Sequence, residues 1–157
     1  MVTFNLAYTA PINPPGETAA PPITATQVWA GLQRKVRHAE EFVSIITGCK
    51  VLDGETVPAA YAGRGRTATT RIATFDVPGK GSWEVKELCI EYPPCRIDFI
   101  QPDDTTVANY ISQGPSGEPT DLFLTYVFER SHPDLVEGSE EARRQEEADK
   151  KVCIVCF

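Results

Sequence analysis

The chain has 157 residues, of which 41% are hydrophobic and 24% are charged, so its composition is that of a globular domain and excludes a disordered chain. Its formal net charge is −7. Because an acidic surface repels phosphate groups, this charge weighs against nucleic acid and against anionic membranes as partners. We expect one domain that spans residues 1–157.

The cysteine count and the N-terminal segment indicate the cellular compartment. Five cysteines are present, and an odd number without a secretory signal argues against a disulfide framework. The segment "MVTFNLAYTAPINPPG" lacks the basic and apolar regions of a signal peptide. No apolar run approaches the ~20 residues needed to cross a bilayer. We therefore expect a cytoplasmic protein with reduced thiols and no membrane insertion.

The first elements in chain order are a strand and a helix. The segment "VTFNLAY" alternates so that Phe4, Leu6 and Tyr8 share one face of a half-buried strand. A proline-rich loop follows, and then "TATQVWAGLQRKVRHAEEF" has helical spacing, with Thr24 or Thr26 as its cap. An apolar stripe is expected to pack inward, with a break near His38. The basic residues Arg34, Lys35 and Arg37 are expected to face solvent.

The rest of the chain predicts a sheet and a final helix. Six β-type segments between residues 47 and 129 are separated by short turns such as "VPGKG" and "GPSGEP", which predicts an antiparallel meander. A helix capped by Ser139 follows. Helices at both ends of a meander must share one face of the sheet. The fold class is therefore α+β, with room for a cavity between the curved sheet and the C-terminal helix.

Three segments of the chain resemble a known family. They are "TATQVWAGLQRKVRHAEEFV", "CRIDFIQPD" and "ISQGPSGEPTDLFLTYVFERSHP", and they are similar to the fungal and bacterial AtaL-like family of the START/Bet v 1-like (SRPBCC) superfamily. The resemblance implies the helix-grip fold, in which seven antiparallel strands wrap around a long C-terminal helix and enclose a hydrophobic cavity. Superfamily relatives include carriers, hormone receptors and polyketide cyclases, and genes of this family often lie beside fungal natural-product enzymes.

Strand alternation selects the polar residues expected in the cavity. In the last strand the more apolar set, which includes Leu124, Tyr126 and Phe128, is expected to face the helix. The same alternation turns Asn109 and Tyr8 inward. We therefore predict Tyr126, Asn109 and Tyr8 as catalytic residues, because a buried hydroxyl or amide can bond a ligand carbonyl. The alternative is that each bonds only a backbone group or water.

Charged and aromatic residues complete the predicted substrate-binding set. Arg71 and Glu87 lie mid-strand and form a possible cross-strand pair. An outer-face pair is the favoured interpretation, whereas a reversed register would make the two an anion-binding and acid–base pair. The full set expected to bind substrate is Trp29, Arg71, Glu87, Tyr92, Phe99, Leu124 and Phe128.

No sequence motif predicts a metal or a cofactor. The histidines His38 and His132 lack a nucleophile at a recognisable spacing, so cap or surface roles are expected. The pair Cys153 and Cys156 has C-x-x-C spacing without a second pair, which is a weak zinc motif. We predict no metal site and no cofactor.

The expected function follows from the cavity and the resemblance together. It is binding of a hydrophobic small molecule, with a cofactor-independent cyclisation, isomerisation or dehydration in fungal secondary metabolism. Two alternatives stay open. One is a non-catalytic carrier of a lipid, polyketide or terpenoid, and the other is a partner-binding module that uses the exposed sheet or the acidic helix.

Overall fold

The computed structural model describes residues 1–16 and 20–155, with the side chains of 153–155 left out. The described chain contains the strands and helices that the sequence predicts. In order they are β1 (Val2–Pro11), α1 (Ala25–Arg37), β2 (Ile46–Leu52), β3 (Thr67–Val77), β4 (Gly81–Tyr92), β5 (Arg96–Ile100), β6 (Thr106–Gln113), β7 (Leu122–His132) and α2 (Glu140–Val155). A 3₁₀ turn, Ala39–Glu41, follows α1.

The strands form one antiparallel sheet in the order β1-β7-β6-β5-β4-β3-β2. Strands β2 to β7 are a meander, as their short connections predict. Strand β1 pairs with β7, so Val2 lies opposite His132 and Tyr8 lies opposite Tyr126. The predicted helix-grip fold is confirmed.

Helix α1 begins and packs as its sequence predicts. Thr24 is the cap, and its side chain accepts from the Gln27 backbone while Gln27 bonds back, which forms a capping box. Leu32 and Val36 are buried against a sheet cluster that includes Phe99. Burial of these side chains, rather than helix propensity, fixes α1 on the concave face of the sheet.

Helix α2 covers the same concave face. The Ser139 hydroxyl accepts a hydrogen bond from the Ala142 backbone N–H at 3.1 Å, which confirms the predicted cap. Helix α2 packs against β1, and Asp149 on its inner side is 3% exposed. Within residues 1–16 and 20–155, no helix has the length and apolar character needed to cross a membrane.

The register of the central strands agrees with the alternation argument. Tyr126 and Phe128 are buried in β7, whereas Val127 and Glu129 between and beside them are exposed. Asn109, opposite Tyr126 on β6, is fully buried. The faces of β6 and β7 chosen from the sequence are therefore the faces that the sheet turns toward the helices.

Candidate functional site

A cavity of about 250 Å³ lies between the concave face of the sheet and the two helices. Its wall is mostly apolar and comprises Val43, Ile45, Ile46, Phe75, Val77, Trp83, Val85, Phe99, Val107, Phe128, Ala148 and Val152. Tyr126 and a smaller number of polar side chains also line it. An apolar cavity with a few converging polar groups is typical of a small-molecule site.

The first polar group of the cavity, here called the lysine cluster, consists of Lys35, Asn109 and Tyr126. The Lys35 ammonium donates to Asn109 Oδ1 at 3.0 Å and contacts the Tyr126 hydroxyl at 3.5 Å. It also lies 4.5 Å from the centroid of the Tyr126 ring and 5.6 Å from that of Phe99. A cation held against aromatic faces in an apolar wall attracts a ligand oxygen that carries negative charge.

The burial of Lys35 corrects the prediction that this residue faces solvent. Its side chain is 5% exposed. Position 35 is three residues after Leu32, so it belongs to the apolar stripe by helical spacing, and only its charge suggested exposure. The aromatic rings and the Asn109 amide replace water around the ammonium.

Arg71 and Glu87 form a second polar group, and they face the cavity rather than the outside. They are direct cross-strand partners, as predicted, and are 2% and 3% exposed. The Arg71 guanidinium donates to Glu87 Oε2 at 2.6 and 2.8 Å and to the carbonyls of Lys35 and Val36 at 2.6 and 3.1 Å. The favoured outer-face interpretation is wrong, because mutual pairing and these carbonyls offset the cost of burying both charges.

A third polar group, here called the Asp149 cluster, lies where β7 meets α2. His132 Nε2 is 2.8 Å from Asp149 Oδ2, and Gln145 donates to Asp149 Oδ1 at 2.9 Å. Arg130 approaches the same carboxylate at 3.7 Å. Arg130, His132, Gln145 and Asp149 all line the cavity, so the expected surface or cap role of His132 is wrong.

Part of the predicted site lies at the cavity. Arg71, Glu87, Phe99, Tyr126 and Phe128 line it. Asn109 is placed directly behind this wall, where it bonds Lys35. Alternation selected the inward face for Asn109, Tyr126 and Phe128, whereas Arg71 and Glu87 reach the cavity against the favoured outer-face interpretation.

Four other predicted residues lie outside the cavity lining. Trp29 and Leu124 pack into the hydrophobic core beside it. Tyr8 is on the inward side of β1 but is 37% exposed, because β1 is the edge strand of the sheet. Tyr92 lies on the outer face of the sheet, where it is opposite Arg96 and stacks on its guanidinium. The prediction that Tyr92 binds substrate in the cavity is therefore wrong.

Sequence reasoning missed the Asp149 cluster for an identifiable reason. The predicted last strand ended at Glu129, whereas β7 continues to His132. Extending the inward positions 126 and 128 by the same alternation selects Arg130 and His132. Asp149 could not be found this way, because its partner lies on a different element.

The buried thiol of Cys89 gives a direct test of the core around this cavity. Cys89 is fully buried, and burial raises its pKa to about 12. At pH 8 only about one Cys89 in 10⁴ is thiolate, which is the reactive form. We expect iodoacetamide to label exposed Cys95 and to leave Cys89 unmodified in the folded protein, as read by peptide mass spectrometry. Equal labelling of the two thiols before unfolding would contradict this packing.

No metal site is formed by the described side chains, since no three of their His, Cys, Asp and Glu groups are placed to share an ion. The C-x-x-C pair lies outside the described side chains, so its zinc interpretation stays a sequence prediction.

Several known proteins are similar to this chain. It is 26% identical over 144 residues to "Acetylaranotin biosynthesis cluster protein L" of Aspergillus terreus (strain NIH 2624 / FGSC A1156), an alignment that covers 92% of this chain and 76% of the relative. Among solved structures, the Zhui aromatase/cyclase from Streptomyces sp. R1128 superposes with a TM-score of 0.59 at 20% identity, over 98% of this chain and 90% of that one.

A two-domain protein has the same fold in part of its length. The di-domain ARO/CYC StfQ from the steffimycin biosynthetic pathway superposes with a TM-score of 0.62 at 10% identity, over 98% of this chain. The chain spans about half of that protein, 49% of its length. At these identities the structural similarity establishes the fold alone. The family described as "Acetylaranotin biosynthesis cluster protein L" matches residues 6–155, and the chain belongs to this family.

Proposed function

We propose that the protein binds a hydrophobic small molecule in its cavity and catalyses a cofactor-independent cyclisation, isomerisation or dehydration in fungal natural-product biosynthesis. The observation that carries this proposal is the lysine cluster, because a buried ammonium beside a tyrosine hydroxyl in an apolar wall is an arrangement suited to polarising a ligand carbonyl. Each of these reactions can pass through an enol or enolate when it takes place beside a carbonyl group, and a buried cation stabilises that intermediate.

Each member of the lysine cluster has a chemical task in this proposal. Lys35 stabilises negative charge on the ligand oxygen, and one such interaction contributes about 10²–10³ in rate. The Tyr126 hydroxyl supplies a proton to the same oxygen. Asn109 is fully buried and bonds Lys35, so it is a positioning residue. Tyr8 has no task, because it lies outside the cavity lining.

The remaining wall restrains the substrate. Phe99, Val107 and Phe128 present an apolar surface beside the ammonium, which excludes water and strengthens its electrostatic effect. A shaped wall also holds a flexible chain near its reactive conformation. These contributions require no bound cofactor.

The names of similar proteins support the same class of chemistry. The Aspergillus relative is named for a biosynthesis cluster, and the Zhui and StfQ structures are those of aromatase/cyclases. We place the reaction in the cytoplasm, because Cys49, Cys89 and Cys95 are free thiols.

Native mass spectrometry of the protein purified from its own host tests this proposal. We expect a co-purified polyketide, terpenoid or alkaloid. Incubating the protein with that compound and with its biosynthetic precursors, followed by product analysis, separates the two functions. Conversion supports the enzyme, and binding without conversion supports a carrier. A protein that holds no small molecule and ignores a hydrophobic probe dye would contradict both.

A further inference from the structure

The Asp149 cluster has no task in the proposed function, yet its carboxylate holds the His132 imidazole in a fixed orientation. His132 lines the cavity, and its Nε2 is 2.8 Å from Asp149 Oδ2. The Asp149 side chain is 4% exposed, whereas that of His132 is 23% exposed. The carboxylate is thus almost fully covered, whereas a ligand can reach the histidine.

The bonding around Asp149 sets the histidine tautomer. Gln145 donates a hydrogen bond to Asp149 Oδ1, and the Arg130 guanidinium lies 3.7 Å from the same oxygen. The Asp149 carboxylate therefore acts as a hydrogen-bond acceptor. An accepting Asp149 requires that His132 donates from Nε2. The lone pair of the imidazole is then on Nδ1, which makes Nδ1 the basic atom.

Arg130 gives the Asp149 cluster a hydrogen-bond donor that can bind a ligand. Its Nε is buried and has no hydrogen-bond partner among the described residues. Its guanidinium lies over the Phe128 ring at 5.4 Å, in the cavity wall. Since buried donors are nearly always bonded, an orphaned guanidinium N–H at a cavity indicates a site for a ligand oxygen.

The side chains of Arg130 and His132 lie together at the cavity, since both approach the Asp149 carboxylate. Arg130 and His132 are two residues apart on one face of β7, so their backbones are ~6.7 Å apart. A ketone oxygen that accepts from Arg130 places its α-carbon within reach of the neighbouring imidazole. We propose that Arg130, His132 and Asp149 form an enolisation site for a ketone-bearing substrate. This proposal rests on the proposed function and adds its proton-transfer step.

The step transfers one proton. His132 Nδ1 takes the proton from the α-carbon, and the C–H electron pair forms the carbon–carbon double bond. The carbonyl π electrons move to oxygen, where Arg130 stabilises the enolate. The imidazolium is stabilised by Asp149, and it returns the proton to carbon or oxygen. Where the substrate carries a β-hydroxyl group, the imidazolium instead gives its proton to that oxygen. The carbonyl then re-forms, a double bond forms between the α- and β-carbons, and the β-carbon–oxygen bond breaks to release water.

The position of the site also limits the substrate. Along β7, Arg130 is four residues from Tyr126, a separation of ~13 Å. The apolar Phe128 lies between them on the same face. A ligand that reaches both groups therefore carries oxygen functions near both ends and an apolar segment between them.

Hydrogen–deuterium exchange of 2-tetralone in D₂O, followed by proton NMR, tests the site without the natural substrate. We expect the protein to speed exchange of the α-protons above the buffer rate, and we expect His132→Gln to lower that acceleration about 100-fold or more. The control His38→Gln changes the other, exposed histidine and is expected to have no effect. Asp149→Asn is expected to lower kcat with little change in KM, and Asp149→Glu is expected to restore part of it.

Binding of a hydrophobic dye, measured on the same samples, separates this proposal from the proposed function. Dye binding without accelerated exchange, or exchange unchanged in His132→Gln, overturns the enolisation site and leaves the binding function standing. Absence of dye binding by the wild-type protein contradicts the proposed function itself. If His132→Gln fails to fold, His132→Asn replaces it, and the wild-type exchange rate still decides whether the activity exists.

Discussion

Replacing Arg71 with methionine is expected to lower the free energy of unfolding by about 3–5 kcal/mol. The change leaves the Glu87 carboxylate buried without its cation and removes two bonds to the Lys35 and Val36 carbonyls at the end of α1. The large cost comes from the unpaired charge rather than from the net value of the pair. Urea denaturation, followed by tryptophan fluorescence, measures the effect.

A double variant and a surface control give this prediction its specificity. Arg71→Met with Glu87→Met is expected to be more stable than Arg71→Met alone, because no buried charge remains. The pair Lys86 and Glu55 is 52% and 39% exposed, so Lys86→Met is expected to cost at most about 1 kcal/mol. Equal losses for Arg71→Met and Lys86→Met would show that the inner pair is solvated.

Replacing Lys35 with methionine is expected to have the opposite effect from Arg71→Met, because the variant keeps its fold and loses its activity. The rate of the cavity reaction is expected to fall about 10²–10³-fold, because the ammonium is the charge that faces the ligand oxygen. The free energy of unfolding is expected to fall by at most about 2 kcal/mol, since the bond to Asn109 and the contact with the Tyr126 hydroxyl are lost while methionine still packs against the same rings. Turnover of the co-purified compound and urea denaturation measure the two quantities.

Lys50→Met is the matched control for this change, because Lys50 is an exposed lysine on β2. It is expected to alter neither the rate nor the stability. Full activity in Lys35→Met would remove the lysine cluster from the mechanism. A fall in ligand affinity with an unchanged rate at saturation would assign Lys35 to binding alone.

The sequence predicted the elements and the faces of β6 and β7 well, since alternation and turn residues act locally. Tyr126, Asn109 and Phe128 face inward because one residue of slip would expose the whole apolar set. Alternation gives the face of a residue, however, and not how far a helix covers that face. Tyr8 and Leu124 illustrate this limit, because both are on the inward side of a strand but lie beside the cavity rather than on it.

The charged part of the site was harder to predict for a physical reason. Lys35, Arg71 and Glu87 carry charges, and a charge is usually exposed unless a partner from another element pairs with it. Here Lys35 on α1 meets Asn109 on β6, and His132 on β7 meets Asp149 on α2. Such partners are brought together only by the tertiary fold, so local patterns cannot indicate them.

The pairing of β1 with β7 has a consequence for the order in which the chain folds. Residues 2 and 132 are neighbours in the sheet although almost the whole chain separates them. The connections within the meander from β2 to β7 are local, the longest being residues 53–66, so closing them costs little entropy, whereas docking of β1 closes a very long loop. The edge of β7 therefore stays unpaired until late in folding, and the newly synthesised chain is most open to misassembly there.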